Sequence, residues 1–244
     1  MMQTHSRSRW LLRRTRTTPA LRRVFCFPYA GAGASSFLRW SEYLPKDTEV
    51  IGIQLPGREN RMNESCADSL SPVIEQLVGE LRPLLDIPYG FFGHSFGALL
   101  SVEVTHALAR AGLPLPQKIT VSGANPPHRR LDLNIHTMND ETLLLAIGEW
   151  GGSRLKTFGK DFIDIALSLL RADIKLLQSH EYAVHRIPAP LLVLGGSADV
   201  LVPIDALHAW HGLAASCEVT VLPGNHFFFE QHLSTTISGV LQDW

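Results

Sequence analysis

Short apolar runs punctuate the chain, and longer stretches with apolar residues every three or four positions lie between most of them. The runs are Val24-Phe25-Cys26-Phe27, Glu49 to Leu55, Tyr89-Gly90-Phe91-Phe92, Lys118 to Ala124, Leu191-Leu192-Val193-Leu194 and Glu218 to Leu222. Continuous apolar runs of this length, bounded by Pro or Gly, read as strands buried on both faces. The clearest helical stripe is Ser69 to Leu85, with Leu70, Val73, Ile74, Leu77, Leu81, Leu84 and Leu85 on one side. Further helices are expected around Phe37-Leu38-Arg39-Trp40, from Ala98 to near Gly112, from Pro203, and after Phe227-Phe228-Phe229. Strands alternating with helices imply crossover connections and a mostly parallel sheet covered on both faces, the α/β class.

The alternation fails once. From about 125 to 186 no strand-like run occurs, and two helical patterns take its place, Asp140 to Trp150 and Phe162 to Leu177. One crossover does not need so many residues. An all-helical insertion between two strands of such a sheet is placed to act as a lid over the sheet's carboxyl end.

Composition narrows the picture. The 244 residues are 45% hydrophobic and 18% charged, which suits one α/β domain with a large core. A net charge of −1 provides no long-range pull toward nucleic acid or an anionic membrane. No apolar run approaches the roughly 18 residues of a membrane helix. Cys26, Cys66 and Cys217 are scattered and odd in number, which points to a reducing compartment, the cytoplasm, and to no metal site. Residues 1–22 stand apart. Arg7, Arg9, Arg13, Arg14, Arg16 and Arg22 lie among Ser and Thr, and the first acidic residue is Glu42. An organelle transit segment has such a composition, but the expectation here is a basic, disordered tail, with the folded domain spanning 23–244.

Candidate chemistry centres on Gly93-His94-Ser95-Phe96-Gly97. It follows one predicted strand and opens a predicted helix, the context in which Gly-x-Ser-x-Gly holds a serine hydroxyl out on a sharp, strained turn. A serine needs a base within hydrogen-bond reach, and the base needs an orienting acid. On a sheet of this kind the partners follow in the order Ser, acid, His, each after a strand. Ser95, Asp199 and His226 satisfy that order. Asp205 is the rival acid, but it lies a helical turn later and suits a helix start. His94 is expected to pack, because neighbours on a turn point apart, and His208, His211 and His232 fall on expected helices at the surface. An oxyanion needs two backbone N–H donors. Phe96 follows the serine, and Ala30 lies in the small-residue loop Tyr29 to Ala34 after the first strand. That loop lacks the Gly-Lys-Ser/Thr ending of a phosphate loop. Arg58 and Glu59 read as a structural pair or as solvated charges, with a role in steering an acidic partner as the alternative.

Taken together, Phe27-Pro28-Tyr29-Ala30-Gly31, Gln54-Leu55-Pro56-Gly57-Arg58-Glu59, Gly93-His94-Ser95-Phe96-Gly97-Ala98, Leu170-Arg171-Ala172-Asp173 and Gly224-Asn225-His226-Phe227-Phe228 resemble the type II thioesterases of polyketide and nonribosomal peptide synthesis. The likeness runs from about Arg23 to the C-terminus. It implies an α/β-hydrolase fold with a flexible helical lid. It also implies hydrolysis of acyl thioesters on the phosphopantetheine arm of acyl or peptidyl carrier proteins, removing misprimed or stalled groups. The same triad, Ser95, Asp199 and His226, carries over. No cofactor and no metal are implied, the partner is a carrier protein rather than nucleic acid or membrane, and a monomer is expected. The runners-up are a chain-releasing fatty acyl thioesterase, a small-molecule esterase and, in another class, an acyltransferase or a carrier-protein binder.

Overall fold

The computed structural model describes residues 8–14, 18–129, 134–182 and 185–242. Among them, β1 (Leu11–Arg13), β2 (Arg22–Phe27), β3 (Thr48–Ile53), β4 (Tyr89–His94), β5 (Ile119–Ser122), β6 (Leu191–Gly196) and β7 (Cys217–Leu222) form one sheet. Its order is β1-β3-β2-β4-β5-β6-β7. Every neighbouring pair from β3 across to β7 is parallel, with Phe25 opposite Phe91 and Phe92 opposite Thr120 near the centre. The expected α/β class and mostly parallel sheet are therefore the observed ones.

Side chains alternate across the pleat, so each strand feeds two cores. Phe25, Phe27, Ile51, Ile53, Phe91, Val121, Leu191 and Val193 face one side. There they meet α1 (Leu70–Leu81) through Leu70, Val73, Ile74, Leu77 and Leu81, and α2 (Phe96–Arg110) through Leu100, Val104 and Leu108. Val24, Cys26, Val50, Phe92, Leu192 and Leu194 face the other side. They are covered by a 3-10 helix, Ala34–Glu42, and by the C-terminal helices. The expected helix over 69–85 is α-helical only to Leu81 and continues as a 3-10 turn, Arg82–Leu84. Pro83 explains the change, since it has no N–H to donate to the preceding turn.

Residues between β5 and β6 contain no strand among those described. They hold α3 (Asp140–Glu149), capped by Asn139, whose side chain accepts from Thr142 N at 2.8 Å, and α4 (Lys160–Ser179). Ile135, Leu143, Ile147, Leu167 and Ile174 make a small core of their own there, packed against Ala30. Arg171 on α4 ties the two helices, donating to Ile135 O (2.7 Å), Met138 O (2.8 Å) and Asp140 Oδ1 (2.8 Å). After β6 come α5 (Ile204–His208), and after β7 α6 (Phe228–Gln231) and α7 (Leu233–Leu241). No helix among the described residues is long and apolar enough to cross a membrane.

The reading of 1–22 as a disordered tail does not describe residues 11–13, which pair antiparallel with β3, Leu12 opposite Gly52. Leu11 is buried, Trp10 O accepts from Gln54 N at 2.7 Å, and the Arg61 guanidinium lies 4.1 Å from the centre of the Trp10 ring. Composition hid this strand because an edge position tolerates, and even favours, flanking charge. Residues 1–7 and 15–17 of the expected tail lie outside the described residues.

Phe92 tests the second core. It is fully buried against Trp40 (ring centroids 4.5 Å), Phe37 (5.9 Å) and Phe229 (6.0 Å). Phe92→Ala is expected to cost about 3–5 kcal/mol in urea unfolding with an unchanged slope. Phe162→Ala, at an exposed position on α4, is expected to change stability by no more than about 0.5 kcal/mol.

Candidate active site

Ser95 sits between β4 and α2 with φ 53° and ψ −117°, a conformation that non-glycine residues rarely adopt. The strain persists because the surroundings leave no alternative. Ser95 N donates to Ser122 O at 2.8 Å, and Ala98 N donates to Ser95 O at 3.0 Å. A Cβ on Gly93 would overlap the Gly97 carbonyl, and one on Gly97 would overlap the carbonyl of Phe27. The absence of a side chain at Gly97 thus lets the start of α2 lie directly on the loop that follows β2. The elbow and the Phe27-Pro28 end of β2, which leads into the Tyr29–Ala34 loop, are neighbours for that reason.

Asp199 follows β6 and His226 follows β7. Asp199 Oδ2 accepts from His226 Nδ1 at 2.8 Å, and both side chains are buried. Asp199 Oδ1 accepts from Leu201 N (2.9 Å) and Val202 N (3.2 Å), so both carboxylate oxygens have hydrogen-bond partners. The acid loop is bonded to the histidine loop, Ala198 N to Gly224 O at 2.8 Å. With Nδ1–H committed to Asp199, His226 Nε2 is left as the acceptor.

Neighbours of the elbow, His94 and Gly123, lie against the His226 ring. His94, next to Ser95, lies with its ring centre 4.8 Å from that of His226. The α-carbon region of Gly123, one residue beyond the carbonyl that holds Ser95 N, faces the His226 ring; a Cβ there would stand 3.3 Å from its Cε1. His94 is fully buried, shares a 3.0 Å hydrogen bond between Nδ1 and Ser122 Oγ, and is enclosed by Tyr29, Phe227, Phe228 and Phe229. Burial, reinforced by His226, holds its pKa well below the ordinary value, so His94 is a neutral packing group, as its place on the turn suggests. The same apolar enclosure raises the Tyr29 hydroxyl to about 12, with Glu230 adding to the rise.

The other candidates separate cleanly. Asp205 is exposed and pairs with Arg129 at 3.1 Å, away from His226. His208 and His211 are exposed, and His232 is half-buried between α6 and α7. No cluster of three or more potential metal ligands occurs among the described residues. Phe96 is the first residue of the 15-residue α2, where N–H groups have no partner within the helix. Neither Phe96 N nor Ala30 N has an acceptor among the described residues.

Arg58 and Glu59 do not pair with each other. Arg58 is buried and grips Asp173 of α4 in two hydrogen bonds, 2.6 and 2.7 Å, while Glu59 turns to Ser35. Burial opposes the guanidinium charge, but the hydrogen bond and charge of Asp173 outweigh it, and the Arg58 pKa rises. The reading of these two as a mutual pair or solvated charges is corrected: the partner lies 115 positions along the chain, beyond any local pattern.

Comparison with known proteins agrees with this architecture. The family model for the thioesterase domain matches residues 22–243. The gramicidin S biosynthesis protein GrsT of Aneurinibacillus migulanus is 34% identical over 225 residues, covering 91% of this chain and 88% of its own. The solved structure of RedJ, a thioesterase from the prodiginine pathway of Streptomyces coelicolor, superposes with a TM-score of 0.81 at 34% identity, covering 89% of this chain and 86% of that one. The type II thioesterase BorB from the borrelidin biosynthetic cluster superposes with a TM-score of 0.81 at 26% identity, covering 96% of this chain and 95% of its own.

The neutral state of His94 has a thermodynamic consequence. Below about pH 6.5 the unfolded chain binds a proton at this residue and the folded chain does not. Stability is therefore lost as pH falls from about 6.5 toward the depressed folded pKa. In urea titrations between pH 7 and 5, wild type is expected to lose stability more steeply than His94→Gln, by up to about 1.4 kcal/mol per pH unit. Equal slopes would show that His94 is not held neutral. The fold, the serine elbow and the matched domain agree: the chain belongs to the thioesterase family, the enzymes that hydrolyse thioesters.

Proposed function

We propose that this thioesterase hydrolyses acyl groups from the phosphopantetheine arm of acyl or peptidyl carrier proteins, clearing misprimed or stalled units from a polyketide or nonribosomal peptide synthase. The observation that carries the chemistry is the Asp199–His226 hydrogen bond, with His226 packed against the His94 that precedes a strained Ser95. The biosynthetic setting of GrsT, RedJ and BorB supports the substrate class.

In this mechanism Ser95 Oγ attacks the thioester carbonyl carbon and His226 Nε2 takes its proton. Asp199 holds the imidazole tautomer and stabilises the imidazolium. The oxyanion is met by the N–H groups of Ala30 and Phe96, the second at the positive end of α2. The carbon–sulfur bond breaks, the leaving sulfur takes the proton from His226, and the acyl group stays on Ser95. Water, deprotonated by His226, then attacks the acyl-enzyme, releases the carboxylic acid and restores Ser95. A thiolate leaves readily, so the acid step demands little.

The helices between β5 and β6 serve as the lid, a reading supported by two contacts: Gly31 lies against Leu170 and Ala166 of α4, and Gly151 lies so close to Asn225 that a Cβ there would overlap it. Substrate has to pass or displace this cover.

The test is hydrolysis of propionyl-loaded carrier protein, read by mass spectrometry of the arm. Wild type is expected to clear the acyl group and Ser95→Ala to leave it in place, while Asp199→Asn is expected to lower kcat by about 10⁴-fold. Much faster hydrolysis of long free acyl-CoA than of the loaded carrier would replace the editing role with chain release. Retained carrier binding with no hydrolysis by wild type would replace it with a binder.

A further inference from the structure

The loop after β2 carries the N–H of Ala30, and its backbone is held from outside at almost every step. Asp173 Oδ2, from α4, accepts from Gly31 N at 2.7 Å. Arg58 Nη1 donates to Ala32 O at 3.1 Å while both its terminal nitrogens hold Asp173. Gln54 Oε1 accepts from Ala34 N at 2.9 Å, and Gln54 Nε2 donates to Arg58 O at 3.0 Å. Gly31 takes φ 80°, where a side chain is disfavoured, and its α-carbon is pressed against α4; a Cβ there would lie 3.5 Å from Leu170.

A buried bidentate ion pair is costly to desolvate, and an apolar pair of similar size often holds a fold as well. What an apolar pair cannot do is accept a hydrogen bond from Gly31. Asp173 is the one acceptor here whose two oxygens serve both the guanidinium and a loop N–H. It commits Gly31 N and fixes the plane of the peptide joining Ala30 to Gly31. The N–H of Ala30, on the preceding peptide, has no acceptor among the described residues, and the Ala30 backbone angles set its direction relative to that fixed plane.

We infer that Asp173 and Arg58 are positioning residues for thioester hydrolysis: Asp173 locks the Gly31 amide so that Ala30 N–H faces the developing oxyanion, and Arg58 holds Asp173 in place. The inference rests on the assignment of Ala30 as an oxyanion donor. It makes α4 part of the frame of the oxyanion hole as well as its cover, because Asp173 belongs to the helical stretch between β5 and β6.

The variant that separates positioning from stability is the double replacement Arg58→Met with Asp173→Leu. Its thermal midpoint is expected to remain near wild type. Its kcat on propionyl-loaded carrier protein is expected to fall about 10²-fold with little change in KM, as for a displaced transition-state donor. Hydrogen exchange of the peptide covering residues 29–33, read by mass spectrometry, is expected to accelerate. Arg58→Met with Asp173→Asn, which keeps a carbonyl oxygen for Gly31 N and leaves no unpaired guanidinium, is expected to recover part of kcat and of the exchange protection, and serves alone if the first double variant does not fold. A folded variant with wild-type kcat, a loss confined to KM, or unchanged exchange in 29–33 would overturn the inference. Ser95→Ala, assayed alongside, tests the underlying reading: undiminished turnover there would remove the serine mechanism, while the exchange result would still decide whether Asp173 holds the loop.

Discussion

The buried contact between Arg58 and Asp173 is the constraint on which the working end of this molecule depends. Each partner alone would be a charge removed from water, a situation costing several kcal/mol. Together, and with Ala32 O, Pro56 O and Gly31 N taking up the remaining hydrogen-bonding capacity, they are satisfied. Three separate segments are joined in this way: the loop after β2, the loop after β3 and the middle of α4. Leu176 of α4 also packs into the main core, so the ion pair adds a polar tie to an apolar one. Removing one partner leaves the other uncompensated, so the contact is a condition for the local arrangement rather than an ornament on it.

The sheet supplies the rest of the geometry. In a parallel sheet every strand delivers its carboxyl end to the same edge, and connecting loops there converge. Ser95 follows β4, Asp199 follows β6, His226 follows β7, and the Ala30 loop follows β2. Strands β2 and β4 are adjacent, as are β6 and β7. Two of the pairings come from neighbouring strands, the elbow with the loop after β2 and Asp199 with His226, whereas Ser95 and His226 follow β4 and β7, with β5 and β6 between them. Backbone bonds between loops, Ser95 N to Ser122 O and Ala198 N to Gly224 O, hold this convergence. The strain at Ser95 is tolerated because close packing at Gly93 and Gly97 leaves the turn no room to relax.

Around that edge the environment is dry and aromatic. Tyr29, Phe227, Phe228 and Phe229 surround His94, which in turn lies against His226. Such walls keep the His94 imidazole neutral and strengthen any hydrogen bond made within them. The helices between β5 and β6 complete the enclosure with a small core of their own, resting on Ala30 at one side and near Asn225 at the other. That core includes Leu167 and Ile174 of α4, the helix that Asp173 ties to Arg58 and Gly31.

The sequence by itself determined the elements of regular pattern. The strands from β2 to β7, the stripe of α1, the helix after Ser95 and the strandless stretch before Leu191 all follow from periodicity and from Gly and Pro punctuation, because burial on a sheet face or helix stripe imposes a local repeat. It also singled out Ser95, Asp199 and His226, since their chain order follows from strand order in a parallel sheet. What it misjudged lacked a local signature. Strand β1 is three residues at an edge, where charge is compatible with pairing, and the change to a 3-10 turn at Pro83 was absorbed into an apolar stripe. The tertiary structure alone decided that Arg58 belongs to Asp173 rather than to Glu59, and that Gly31 is held by a helix far along the chain. Those contacts are long-range hydrogen bonds between buried polar groups, and their partners are selected by the folded geometry, not by spacing in the chain.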